Sequence, residues 1–173
     1  MHILEKKDEW LADFREGWLH HYQQTGKVDW KQYKRPQNHT TVSGPGIDLK
    51  TSRLLLISSA GGYIPGDHDP FDDANDLGDY SIRLIPATTP PETLAFAHDH
   101  YVHKAVLEDS QTLLPLGHLN ELAEEGRVGE AAPLFISFMG YQPDVSRVVD
   151  ETIPAILEAA RTGEVEAALL VPA

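Results

Sequence analysis

Three short apolar runs, each ending in small residues, constrain this chain more than any other feature. Arg53-Leu-Leu-Leu-Ile-Ser58 runs into Ser59-Ala60-Gly61-Gly62-Tyr63, and Leu134 to Phe138 runs into Met139-Gly140-Tyr141. The third run, Glu166 to Val171, is followed by Pro172 and Ala173. Runs of five or six apolar residues without alternation read as strands covered on both faces, the condition of a parallel sheet. In open α/β sheets the site forms outside the carboxyl ends of such strands. The small residues after each run therefore mark the place where chemistry is expected.

The intervening segments agree with that reading. Trp10, Leu11, Phe14, Trp18, Leu19 and Tyr22 recur at helical spacing between Asp8 and Gln24, and Gly26 supplies the stop. Trp30 and Tyr33 follow, and 36–46 is rich in Pro, Gly, Asn and Thr, hence a loop. Tyr80 to Ile85 alternates like an edge strand. Pro90-Pro91 breaks the chain before a helix expected from Glu92 or Thr93, with Leu94 to Glu108 continuing it. Leu116 to Glu125 reads as an amphipathic helix closed by Gly126, and Val145 to Arg161 as a helix that Pro154 must kink or begin. The order implies an α/β fold: a three-layer sandwich around a mostly parallel sheet, carrying an N-terminal aromatic helical arm. The arm and its loop take residues 1–52, and the α/β domain takes 53–173.

Composition narrows the function classes. The 173 residues suffice for one domain that buries roughly 70% of its unfolded surface. With 27 acidic against 14 basic side chains, the formal net charge is −13, a surface that repels nucleic-acid backbones and anionic lipid. No apolar run reaches the roughly 20 residues that span a bilayer, and the charged N-terminus lacks the apolar core of a signal peptide. The expected compartment is the cytoplasm. There is no cysteine, so disulfides, thiolate metal sites and a cysteine nucleophile within these residues are excluded.

Several motifs carry chemistry. Gly61-Gly62 lets backbone approach a ligand closely, but no Walker lysine or Gly-x-Gly-x-x-Gly accompanies it. His98, His100 and His103, with Asp67, His68 and Asp69, suggest metal ligands; yet on a regular helix His98 points away from His100, so the three cannot converge. Ser58, Ser59 and Ser137 lack the elbow motif of a serine hydrolase. Arg83 stands where it would pair with Asp67, Asp69 or Asp79, or else anchor a substrate carboxylate.

Taken in order, Ser58 to Tyr63, Asp69-Pro70-Phe71, Gly78 to Pro86, His98 to Tyr101, Leu114-Pro115-Leu116 with Leu119, Gly126 to Gly129, Ser137 to Tyr141 and Leu169 to Pro172 resemble the selenoprotein B family. Its members are the glycine, sarcosine, betaine and D-proline reductases. The likeness is strongest to the selenium-bearing subunit of the D-proline branch. The resemblance implies reductive cleavage of a carbon–nitrogen bond alpha to a carboxylate, with selenocysteine or cysteine as nucleophile just after the Val-Pro of the last strand. That residue is expected after Ala173, in a longer form, so that these 173 residues are expected to be a truncated and inactive version. The partners implied are a small amino-acid-like substrate, a thiol reductant and a homo- or hetero-oligomeric assembly with a second reductase subunit, which would bear a carbonyl-type cofactor. No cofactor and no metal are expected in this chain itself.

Under this reading His98 or His100 protonates the leaving amine. Ser59, Gly61, Gly62, Ser137, Met139, Gly140 and Tyr141 line the substrate pocket. Asp67, Asp69 or Asp79 holds the ammonium or orients a histidine, and Arg83 holds the carboxylate. Two other readings stand beside it: a non-catalytic binding or assembly subunit, and a metal-binding module using His68, His98, His100 or His103.

Overall fold

The computed structural model describes residues 4–173 apart from 42 and 100. Its core is a twisted sheet built on β1 (Arg53–Ser58). Three short pieces come before the second core strand: β2 (Gly62–Tyr63), β3 (Ile82–Pro86) and β4 (Ala95–Phe96). Then follow β5 (Glu130–Ala131), β6 (Leu134–Phe138) and β7 (Ala167–Val171). Strand β7 runs parallel to β1 from Leu54↔Ala167 to Ser58↔Val171. The opposite edge of β1 takes β5 at its start, through Leu54↔Ala131, and β6 at its end, through Ser58↔Ser137, both parallel. Ala132 and Pro133 form the break between those two pieces, where Pro133 has no N–H to offer the ladder. Strand β3 closes the far side of β6 antiparallel, with Arg83↔Ser137 and Ile85↔Phe135. The mostly parallel α/β sheet expected from the three apolar runs is the fold observed.

Each face of β1 has its own core, because alternate side chains leave opposite faces. Leu54 and Leu56 join Ile85 and Phe135 on one face, covered by Leu119 of α4 (Leu116–Glu124). Leu55 and Ile57 join Ile136 on the other, covered by Ile156, Ala159 and Ala160 of α6 (Ile153–Thr162). The sandwich is three layers deep. Helix α4 precedes β6 and α6 precedes β7, so the chain leaves the ends of β1 and β6 toward opposite faces. That divergence is a topological switch point, and it opens a crevice at the strands' carboxyl ends.

The N-terminal helix is continuous: α1 (Lys7–Phe14), a π segment (Arg15–Leu19) and α2 (His20–Thr25), stopped by Gly26 in the left-handed conformation at φ 64°. Its apolar face centres on Trp18, which is 1% exposed and stacks between Phe14 and Tyr22 at ring separations of 5.4 and 6.0 Å. Tyr33 meets both Phe14 and Trp18 edge-on, and Trp30 carries the cluster on to Tyr141 at 6.3 Å. The arm thus packs on the chain itself, and Arg15 adds an exposed ion pair with Asp150. The helix read over 145–161 is also present, as α5 (Val145–Arg147), a π segment (Val148–Thr152) and α6. Pro154 follows the π segment directly, so the residue that cannot donate stands at the helix's local irregularity.

One element differs from the sequence reading. The helix expected over 92–108 is a 3₁₀ turn (Pro91–Thr93), the strand β4, a loop, and only then the short α3 (Lys104–Glu108). Strand β4 pairs antiparallel with β2 through Gly62↔Phe96 and Tyr63↔Ala95. Backbone pairing with the loop after β1 takes precedence over local helical spacing here. The histidine argument built on a helix falls with it.

Candidate functional site at the strand ends

Strands β1, β6 and β7 finish level with one another, and hydrogen bonds knit their ends together. The Ser59 N–H donates to Val171 C=O at 3.1 Å, Gly140 N–H to Ser59 C=O at 3.0 Å, and Gly61 N–H to Phe138 C=O at 2.9 Å. The Ala173 N–H donates to Ser59 Oγ at 2.8 Å. The segments 59–62, 137–140 and 171–173 therefore form one surface, as the small residues after each run required.

Glycine is demanded at two points on that surface. Gly61 has φ +68°, and a Cβ there would lie 2.5 Å from Ala97 C=O. A Cβ on Gly140 would stand 3.1 Å from both His98 Nε2 and Ser59 Oγ. The His98 imidazole consequently lies against Gly140 and Ser59, and it is buried. It arrives there on the loop after β4, tied down by Ala97 N–H donating to Gly61 C=O at 3.0 Å. Tyr101 holds the same loop from the other side. Its hydroxyl donates to Ala60 C=O at 2.9 Å, and its ring meets His98 edge-on at 5.1 Å. His103 Nε2 donates to His98 C=O at 2.9 Å. Burial pushes the Tyr101 hydroxyl up to about 12, which keeps it a donor at neutral pH. Sequence reasoning gave Tyr101 and His103 no such part; the Tyr-x-His spacing after His98 makes sense only once the segment is a loop.

The other expected site residues divide into those at this surface and those beside it. Ser137 is at the strand ends and fully buried, its Oγ without a hydrogen-bond partner among the described residues and 3.5 Å from where a Gly62 Cβ would be. Met139 lies under the surface. Its side chain is spent in a small core with Phe71 and Ala97, against which Tyr63 and Tyr141 pack. Asp67, His68 and Asp69 line a cavity of about 390 Å³ with Tyr63, Pro65 and Gly66. Ile64 N–H donates to His68 Nδ1 at 3.2 Å, which fixes the ring in the turn that follows β2. Among the described residues no group of three or more His, Asp or Glu side chains is placed to hold a metal ion. His100 lies outside the described residues.

Arg83 and Asp79 organise the loop. The Arg83 guanidinium donates to the C=O of Asp69 at 3.1 Å and of Pro70 at 3.5 Å, and to Ser81 Oγ at 2.7 Å. It also covers the Phe71 ring at 4.3 Å. The expected ion pair with an aspartate is in fact a staple to backbone carbonyls, and most of the fork is occupied. Asp79 accepts from Asp72 N–H at 3.0 Å and from Ser81 N–H at 2.8 Å, with a further close contact from the Ser81 hydroxyl. Burial opposes ionisation of Asp79, but these donors and the nearby Arg83 outweigh it and hold the carboxyl below its usual range.

Among curated proteins the chain is similar to D-proline reductase subunit gamma of Acetoanaerobium sticklandii. The two are 30% identical over 123 residues, 71% of this chain and 49% of that relative. The chain spans about half the length of the relative it matches. No protein-family model matches the chain, and no solved structure matches it. Among the described residues no helix is long and apolar enough to cross a membrane. The sequence similarity makes this chain a distant relative of the D-proline reductase family.

Proposed function

We propose that the chain provides the substrate-holding scaffold of an amino-acid reductase of the selenoprotein B type. The observation that carries this reading is the 30% identity to a D-proline reductase subunit. The joined strand ends with His98 across Gly140 support it by offering a site of suitable chemistry. Reductive cleavage breaks a C–N bond, puts hydrogen on the carbon and on the nitrogen, and joins two sulfur or selenium atoms of thiol-type reductants. A thiolate or selenolate from outside these cysteine-free residues supplies the nucleophile, whether from a longer form or from a partner subunit. A partner-borne carbonyl-type cofactor fits the same scheme.

The chain's own residues bind, orient and move a proton. Gly61, Gly62 and Gly140 let the strand ends pack closely against Ala97, His98, Ser59 and Ser137, which brings these polar groups together at the site. His98 gives a proton to the departing nitrogen, and Tyr101 and His103 fix the loop that carries it. The Ser137 hydroxyl, buried and without a partner among the described residues, receives a polar group of the substrate. The acidic cavity at Asp67 and Asp69 attracts the substrate ammonium. Arg83 acts indirectly, by shaping that cavity's backbone.

The test is an activity assay on a form carrying a cysteine at the position of the external nucleophile. D-Proline, sarcosine, glycine and betaine are offered with a dithiol, and ring opening or release of the amine is followed. Dithiol-dependent product that is lost on His98→Ala supports the reading. Full activity in His98→Ala removes the histidine's role, and no product from any substrate leaves a binding or assembly role in its place.

A further inference from the structure

The aromatic arm has no part in the proposed chemistry, yet its cluster runs up to the strand-end site. Trp30 packs on Trp18 at 5.9 Å and on Tyr33 at 5.4 Å, and it meets Tyr141, in the turn after β6, edge-on at 6.3 Å. Aromatic pairs hold one another in such geometries beyond what their buried area supplies. Trp30 is nonetheless 53% exposed, the most open ring of the cluster and the one its core needs least.

Tyr141 is held where a movement is passed on. On one side a Cβ at Gly78 would run into the Tyr141 carbonyl oxygen, and Gln142 Nε2 donates to Asp79 C=O at 2.7 Å. On the other, Gly140 lies against His98 Nε2 and Ser59 Oγ with no slack for a methyl group. The Tyr141 ring packs on the small core of Phe71, Ala97 and Met139. Burial, with Asp76 and Tyr22 nearby, pushes its hydroxyl up from the ordinary value. Residues 140–142 are thus wedged between the 78–79 turn and the histidine loop, and groups packed this closely transmit displacement instead of absorbing it. Trp30 touches the end of that wedge.

We propose that Trp30 is a positioning residue for the strand-end site: through Tyr141 it holds Gly140 against His98, and so ties the setting of the N-terminal arm to ligand binding. The inference rests on the reductase reading only for the identity of the ligand.

Three variants of the whole chain test it, labelled at glycine, tyrosine and histidine and read by NMR before any ligand is added. Trp30→Leu removes the ring but keeps apolar bulk at a half-exposed position, so circular dichroism stays that of the unmodified chain. In this variant the Gly140 amide and His98 ring resonances move together with the Tyr141 ring, and the Tyr141 hydroxyl titrates closer to its ordinary value. Trp30→Phe, which keeps an aromatic edge on Tyr141, restores all of them. Arg15→Ala breaks the exposed ion pair between the arm and Asp150 and leaves them in place, which a general loosening of the arm would not. D-Proline then binds about fivefold more weakly to Trp30→Leu alone, the scale of couplings carried through neighbouring side chains. A shift confined to Tyr141 reports only the lost ring and overturns the proposal, as do equal shifts in Arg15→Ala. The resonances are read without ligand, so they decide the coupling even where D-proline does not bind, an outcome that counts against the reductase reading alone.

Discussion

At the scale of single residues, the site depends on what is left out as much as on what is present. Gly140 is the sharpest case, since a methyl there would sit 3.1 Å from His98 Nε2 and from Ser59 Oγ. Gly140→Ala is expected to keep the fold, at a cost of about 1–3 kcal/mol for overpacking, while abolishing ligand binding at the strand ends. Urea melts read the first quantity and calorimetric titration the second. Ser137 makes the opposite prediction. Its buried hydroxyl has no partner among the described residues, so Ser137→Ala is neutral or stabilising by up to about 1 kcal/mol in the free protein. The same substitution weakens binding of any ligand that uses the hydroxyl. A Ser137→Ala protein that is markedly less stable would show that the hydroxyl already has a partner and is unavailable to substrate.

Among the elements, the segment from Asp144 to Thr162 shows how caps and breaks shape a helix. Asp144 is buried and accepts from Ser146 N–H at 3.0 Å and Arg147 N–H at 3.4 Å, with a close contact from the Ser146 hydroxyl. Its own N–H donates to Tyr80 Oη at 2.7 Å. Arg147 then covers the Tyr80 ring at 4.0 Å and pairs with Glu151 one turn on. Asp144→Ala removes the cap and should cost about 1–2 kcal/mol, measured as a lower urea midpoint with unchanged slope. Elements of this kind were legible in the sequence. The apolar runs at 54–58, 134–138 and 167–171 name their strands, and Gly26 and Gly126 mark helix ends. The failures have physical causes. Strand β4 is two residues long and exists only because β2 pairs with it, so nothing local announces it. The charge of Arg83 points to a carboxylate partner, whereas its geometry is set by the carbonyls of Asp69 and Pro70 in the neighbouring loop. The convergence of Ser59, Gly140 and Ala173 was legible because parallel strands bring their carboxyl ends together. The placing of His98 was not, because it follows from β4.

For the whole molecule, ionisation ties stability to this architecture in one direction at each end of the pH scale. Tyr80 and Tyr101 are raised by burial, Tyr101 to about 12. For both, the neutral phenol is favoured in the folded state. Their contribution is full below the unfolded value near 10 and is lost as pH rises through the folded values. The unfolding midpoint is therefore expected to fall between pH 10 and 12, less steeply in Tyr101→Phe, as chemical denaturation at stepped pH would record. Asp79 has the opposite sign: its lowered carboxyl stabilises the fold above about pH 4 and loses that effect as acid protonates it.

The proposed small-molecule site lies at the ends of β1, β6 and β7, beside His98. It is tested most directly by titrating the isotope-labelled chain with D-proline and following backbone amide resonances. Saturable shifts are expected at 59–62, 137–141 and His98, and none of them in Gly140→Ala. Saturable shifts confined to other regions, or none up to the solubility of the amino acid, would contradict it.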